Sequence, residues 1–356
     1  MSENNYRRHD IDWIRVIAIG LLLIYHITLS FQPWGIFFLF IPNNESLEML
    51  WIPMSLLNVW RIPILFFISG MGVFFAIKKR NWISLILERT RRILIPLIFG
   101  YFAIVPIHIF ILQKYFHKDL NYSAGFGHLW FLANIFAYVI LLSPVFFLLK
   151  SNYDSIIFKI SRKLIRFPLG IYIFLIPFII EVLIIQPESF TLYLFTKHGF
   201  WLGLLAFFFG FYFVALGNEF WKSIASLKFV NLILAFILFI IRWILFDFKS
   251  PLYLISIESV LWIFTIFGLG FSYLNYKNKW IDYLSKAAYP IYIIHMSFQY
   301  LSNYFIFPLN INVWLKYLFV IISTFVGSFV FYEFVINRNK LIRPLFGLNY
   351  KKNKSA

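Results

Sequence analysis

A chain of 356 residues that is 61% hydrophobic, 22% aromatic and only 13% charged has too few ions for a soluble domain, where about a quarter of residues are charged. Its net charge of +17 would point to nucleic acid in a soluble protein, but these cations fall between apolar runs. Cysteine is absent, which excludes disulfides, thiolate nucleophiles and cysteine-ligated metals. No long polar linker divides the chain, so the expected organisation is a cytoplasmic N-terminus over 1–12, one transmembrane domain over 13–335, and a basic cytoplasmic tail over 336–356. The polar start MSENNYRRHDID precedes a long apolar run without a small-residue cleavage site, which describes a retained first span.

A bilayer core of about 30 Å takes about 20 mostly apolar residues per helix. In chain order that ruler gives about ten spans: 13–31, 56–77, 93–112, 129–149, 169–185, 200–216, 229–246, 252–273, 289–307 and 313–335. The fold class expected is therefore all-α, a polytopic transmembrane helical bundle. Lys and Arg crowd every second loop, as in Lys78, Lys79, Arg80, Arg89, Arg91 and Arg92 after the second span, and Arg338, Lys340, Arg343, Lys351, Lys352 and Lys354 in the tail. Cytoplasmic loops carry that excess, so both termini are expected inside, with anionic lipid as the partner of the basic surface. The segment 150–168, containing SRKLIRFP, reads as a short interfacial helix.

An ionisable side chain at mid-bilayer costs roughly 2.5–3.5 kcal/mol on insertion scales, which makes each one a functional candidate. His26 leads the list: at about 1.5 Å per residue it lies roughly 18 Å along the first span, past the midplane. Asp12 and Arg15 share a face at the mouth of the same helix, and Arg15 is eleven residues before His26, almost three turns. Arg61 lies in WRIPILFFISG, close enough to a span end to snorkel to the interface. Arg89 and Arg92 share a face at the start of the third span, and guanidinium forks suit phosphate. His128 and Trp130 in GFGHLWFL stand at a span mouth, where Trp commonly forms an aromatic belt. His295 in YPIYIIHM, about six residues into the ninth span, Glu333 in FYEFV, and Glu181 and Glu258 complete the set. For His295 and Glu333 a helix-to-helix hydrogen bond accounts for the residue as well as chemistry does. No GxSxG elbow, phosphate loop, HExxH or dinucleotide fingerprint occurs, and nothing in the histidine spacing favours a metal.

Five of these segments resemble one known group. DIDWIRVIAIGLLLIYHI is similar to the first-helix signature of the membrane acyltransferase-3 family, an arginine followed by ten residues and a histidine, here Arg15 and His26. RIPILFFISGMG resembles that family's second-helix segment, RTRRILIP its arginine-rich third-helix start, HLWFL its tryptophan motif and YPIYIIHM its late tyrosine-histidine motif. The resemblance runs from Asp10 to about Glu333, and within the family it looks most like the glucan-biosynthesis protein C type, associated with succinylation of periplasmic glucans.

The resemblance implies an enzyme of the bacterial cytoplasmic membrane that moves an acyl group, acetyl or succinyl, from cytoplasmic acyl-CoA to a hydroxyl of an envelope glycan. On that basis His26 is expected as catalytic base, with Arg15 and Asp12 beside it on the helix, and Arg89 and Arg92 as donor-binding residues. Arg61, His128, Trp130, His295 and Glu333 are expected to bind acceptor or support the site. Acyl-CoA is a co-substrate; no permanently bound cofactor and no metal are expected, and the oligomeric state is open. Two rivals come from other classes: a transporter or flippase that uses His26, Arg15 and Glu333 as substrate or proton-coupling groups, and a scaffold subunit without chemistry.

Overall fold

The structure, a computed structural model, describes residues 7–167 and 169–350. Residues 1–6 of the expected N-terminus, Pro168 of the interfacial segment and the tail residues Lys351, Lys352 and Lys354 lie outside the described residues. Among the described residues every regular element is helical: α1 (His9–Leu29), α2 (Trp51–Asn58), α3 (Arg61–Ile77), α4 (Trp82–Arg89), α5 (Ile95–Phe99), α6 (Val105–Tyr115), α7 (Trp130–Ser151), α8 (Ile156–Ile165), α9 (Ile176–Ile185), α10 (Lys197–Leu216), α11 (Asn218–Ser226), α12 (Lys228–Ile244), α13 (Leu252–Tyr273), α14 (Lys279–Ile306) and α15 (Val313–Phe331).

Seven stretches among the described residues are long and apolar enough to cross a membrane: His9–Leu29, Glu48–Ile77, Trp82–Tyr115, Gly127–Ser151, Lys197–Leu216, Leu252–Tyr273 and Val313–Ile336. The count becomes eight if α11 and α12, bent by 59°, form one span. The other expected spans are helical but differ in detail. That over 169–185 is the short apolar stretch Gly170–Ile185, and that over 229–246 is α12 of the bent pair. That over 289–307 is the end of α14, which begins ten residues earlier at Lys279. A membrane helix tolerates an internal proline such as Pro290, and His295 lies sixteen residues into its helix.

The long run from Trp82 to Tyr115 is one helix with two wide turns, Thr90–Leu94 and Gly100–Ile104, each just before a proline, Pro96 and Pro106. Proline removes the N–H that would bond the carbonyl four residues back, and the helix widens to pass it. The Phe102 carbonyl, four residues before Pro106, accepts the Tyr122 hydroxyl at 2.8 Å instead.

Two compact units emerge from the packing, one from Met1–Ala18, Ser55–Leu85 and Ala137–Ser285, the other from Ile19–Met54, Ile86–Phe136 and Lys286–Ala356. In the first, α3 and α10 touch backbone to backbone: a Cβ added at Gly70 would strike the Phe207 carbonyl, and one at Gly210 the Phe67 carbonyl. Small residues permit that approach in membrane helices. Phe67 stacks on Phe213 at 5.7 Å. The chain breaks between α2 and α3, and side chains take up the exposed carbonyls. Tyr193 Oη donates to Asn58 and Val59 at 3.1 and 3.2 Å, Ser259 Oγ to Val59 at 2.7 Å, and Arg242 Nη2 to Ser55 at 3.2 Å. Arg61 follows the break. It is 4% exposed and its Nη2 donates to Asn58 Oδ1 at 3.1 Å, so it is held inside this unit and does not snorkel. α8 keeps Phe158 and Ile165 buried while Ile156, Ile157 and Ile160 stand exposed beside Lys159 and Lys163, the amphipathic pattern of an interfacial helix.

In the second unit the latter half of α1 is laced to α14. Gln299 Nε2 donates to the His26 carbonyl at 2.7 Å, and Asn303 Nδ2 to Ser30 Oγ at 2.9 Å. The segment after α1 folds back on it, with Asn43 N donating to the Ser30 carbonyl and Leu47 N to the Phe31 carbonyl, both at 2.8 Å. At the other end of the sequence, the turn Arg343–Phe346 rests Phe346 against Phe99, ring centroids 5.5 Å apart. Gly347 then turns at φ 72° against the Tyr289 ring and the Arg92 carbonyl, where a side chain would clash.

Candidate active site

The second unit gathers four histidines from distant parts of the chain. α1 supplies His26, α6 His108, the turn Gly127–Leu129 His128, and α14 His295. His26 Nδ1 lies 2.9 Å from His295 Nε2, and the two rings are nearly parallel, with centroids 5.2 Å apart and 6° between planes. His295 Nδ1 donates to the Tyr292 carbonyl at 2.7 Å. The His128 ring stands edge-on to His295 at 5.0 Å. Its Nε2 donates to the Ile293 carbonyl at 3.0 Å, and the Tyr292 hydroxyl donates to the His128 carbonyl at 2.6 Å. His108 extends the row, with its centroid 5.8 Å from His128 and 5.2 Å from Tyr300.

Local sequence explains why these rings hold their places. Along α14, Tyr292, His295, Gln299 and Asn303 recur at steps of three and four, which puts them on one helical face. That face meets α1. The 2.6 Å bond from Tyr300 Oη to the Leu39 carbonyl secures the segment after α1, which brings Phe40 to 5.8 Å from the His26 ring. His295, Gln299 and Asn303 are fully buried. Most polar groups so buried are hydrogen-bonded, yet His108 Nδ1, His128 Nδ1, Gln299 Oε1 and Asn303 Oδ1 have no hydrogen-bond partner among the described residues.

Of the sequence-derived candidates, His26, His128 and His295 are thus brought together. Trp130 is buried beside Phe131, whose ring lies 6.3 Å from Tyr292, and is not displayed as a surface belt. Arg89 and Arg92 belong to the same unit and share one carboxylate: Glu88 lies 3.2 Å from Arg89 Nε and 3.0 Å from Arg92 Nε. Arg92 keeps half its side chain exposed. Glu333 is in the wide turn Tyr332–Ile336 and accepts from Asn337 Nδ2 at 3.0 Å, while Arg343 Nη1 donates to the Asn337 side chain.

Asp12, Arg15 and Arg61 fall in the first unit. Asp12 lies between Arg7, at 2.8 Å, and Arg15, at 3.2 Å. Glu258 and Glu181 are engaged there by Arg242 and His198. Among the described residues no group of three or more His, Asp or Glu side chains is arranged to hold a metal ion.

Sequence reasoning missed His108, the stripe Tyr292–Gln299–Asn303, and the partners Arg242 and His198. His108 carries the same signal as His26, an imidazole inside an apolar run. The α14 stripe is visible within the expected span 289–307 as polar residues at helical spacing.

Chemically, the site offers buried imidazoles bonded to one another and to backbone, with acceptor nitrogens left over, inside a membrane-spanning helical unit. That arrangement suits proton transfer to and from a hydroxyl. No curated protein and no solved structure matches the chain. Residues 8–333, nearly its whole length, match the Acyl_transf_3 model, an acyltransferase domain, and the chain belongs to that family of membrane acyltransferases.

Proposed function

We propose that this acyltransferase moves an acyl group from cytoplasmic acyl-CoA to a hydroxyl of an envelope glycan, with His26 as general base. The observation that carries this reading is the 2.9 Å bond from His26, within the apolar helix α1, to His295 of α14, since a base that is held by a second ring keeps one fixed direction for proton transfer. The acceptor hydroxyl oxygen attacks the thioester carbonyl as His26 takes its proton. The tetrahedral intermediate then expels the CoA sulfur, which recovers that proton from the imidazolium, leaving an ester and free CoA. An imidazole can both accept and return a proton, which suits it to both steps.

Arg89 and Arg92 hold the donor phosphates, and Glu88 between them keeps the two guanidinium forks in a defined relation. Arg15, fixed by Asp12, is the cation at the start of the catalytic helix. His128 serves the acceptor hydroxyls and Trp130 completes the support of the acceptor, with His295 and Glu333 as structural partners and Arg61 as structural support inside the first unit. Both termini are cytoplasmic and the membrane is the bacterial inner membrane. Succinyl or acetyl transfer to a periplasmic glucan, as in the glucan-biosynthesis protein C type, is the donor and acceptor pair favoured by the second-helix segment RIPILFFISGMG.

The test is release of free CoA by purified protein given acetyl-CoA or succinyl-CoA with a glucan acceptor. His26→Ala is expected to lower turnover by roughly 10²–10⁴-fold while the protein still elutes as a folded species. Undiminished release by that variant would sink the base assignment. Acceptor movement across vesicles with no CoA release would support a transporter instead.

A further inference from the structure

We infer that His295 is a positioning residue that fixes the proton arrangement on His26, so that Nδ1 of His26 carries hydrogen and Nε2 is the basic nitrogen. The inference rests on the reading of His26 as base and goes beyond it, because it says which ring nitrogen acts and what makes it so.

The argument begins at a carbonyl, which only accepts. The Tyr292 oxygen is 2.7 Å from His295 Nδ1, so Nδ1 of His295 must carry hydrogen; a bare Nδ1 there would set two lone pairs against each other. A neutral imidazole has one N–H, and Nε2 of His295 is therefore an acceptor. That acceptor is 2.9 Å from His26 Nδ1, so Nδ1 of His26 must in turn be the donor. With both rings neutral no other arrangement satisfies both bonds. The lone pair of His26 is left on Nε2.

A ring that uses one nitrogen to donate and offers the other to substrate is the usual disposition of a catalytic histidine, and the group on the donating side selects the tautomer. Here the selecting group is a second imidazole, itself locked by backbone. Proton uptake at Nε2 leaves both hydrogen bonds in place, because His26 Nδ1 and His295 Nδ1 remain donors in the singly protonated pair. The backbone of His26 is held as firmly as its ring, through the 2.7 Å bond from Gln299 Nε2 to its carbonyl.

Nitrogen-15 NMR of histidine-labelled full-length protein in detergent reads the tautomer directly, with His26 assigned by its loss in His26→Ala. Wild type is expected to show His26 with hydrogen on Nδ1. In His295→Leu that preference is expected to disappear, and kcat to fall on the order of 10²-fold with the KM for acyl-CoA unchanged. In His295→Gln the side-chain carbonyl still accepts from Nδ1–H, and at least about tenfold of the loss is expected to return. Hydrogen on Nε2 of His26 in the wild type overturns the inference, as does a folded His295→Leu protein with kcat within about twofold of wild type. If His295→Leu does not fold, the wild-type tautomer and the His295→Gln rate decide. The spectrum needs no turnover, so a failed tautomer assignment is distinguishable from a failed base assignment, which shows as full activity in His26→Ala.

Discussion

In the first unit the buried pairs Arg242–Glu258 and His198–Glu181 close upon themselves. Arg242 Nε and Nη2 donate to the two oxygens of Glu258 at 2.7 and 2.9 Å, Nη2 also reaches the Ser55 carbonyl, and Trp262 Nε1 meets Glu258 Oε1 at 3.4 Å. His198 is closed likewise, Nε2 donating to the Phe190 carbonyl at 2.9 Å and Nδ1 lying 3.0 Å from Glu181. In the second unit the buried imidazoles are linked, yet His108 and His128 each retain a buried Nδ1 without a partner among the described residues. Polar groups whose bonding capacity is exhausted by neighbours hold a fold together, whereas capacity left over is what a bound hydroxyl can use. Both kinds look alike in a hydropathy profile, as single ionisable letters in apolar runs; only the partners separate them.

The strongest way to break the comparison is to open a closed pair. Glu258→Leu strands a guanidinium that is 4% exposed, and removal of one partner from a buried ion pair costs about 3–5 kcal/mol. Thermal unfolding in detergent is expected to show that loss, with the folded fraction keeping its specific acyltransferase activity. The double variant Arg242→Met with Glu258→Leu is expected to regain most of the stability, since an apolar pair of similar volume is often no worse than the ions it replaces. If the double variant is no more stable than the single one, the pair does more than satisfy itself.

A second, smaller effect sharpens the view of the first unit as a packed scaffold. Gly70→Ala sets a methyl onto the Phe207 carbonyl, whereas Gly72→Ala, two residues on, meets nothing within 4 Å. Overpacking of a close approach costs about 1–3 kcal/mol, while alanine for glycine in an open helix position gains roughly 0.5–1 kcal/mol. Opposite signs in the two unfolding midpoints are expected, with turnover per folded molecule unchanged in both.

The helical class was legible because the apolar runs are long, and the family because its motifs occur in order. His26, His128 and His295 were legible as histidines out of place in lipid. What sequence did not show was partnership. Glu258 and Arg242, sixteen residues earlier on the preceding helix, are single ionisable residues in separate apolar runs, and the bond between them exists only after α12 and α13 pack. The start of α14 was missed because 279–288 is too polar for a span, and the alignment of His295 with Gln299 and Asn303 lay inside the expected span without being singled out. Arg61 looked able to reach an interface from its position in the sequence, but the break before α3 turns it toward Asn58, inside the unit.

The smallest expected effect on stability is also the most discriminating one. His108→Phe removes a buried nitrogen that bonds nothing among the described residues and leaves a ring in its place. Replacing an unsatisfied polar group by an apolar one of similar shape is nearly neutral or stabilising, by up to about 1 kcal/mol. His198→Phe makes the same chemical change where both ring nitrogens are bonded, and it leaves Glu181, 6% exposed, without its partner, at about 1–3 kcal/mol. Unfolding midpoints are therefore expected to stay level or rise for His108→Phe and to fall for His198→Phe. Turnover is expected to behave the other way, with His108→Phe losing roughly tenfold through a raised acceptor KM and His198→Phe losing none per folded molecule. A stability loss in His108→Phe equal to that in His198→Phe would mean that the nitrogen of His108 is as fully used as those of His198, and the contrast between the two units would fail at its sharpest point.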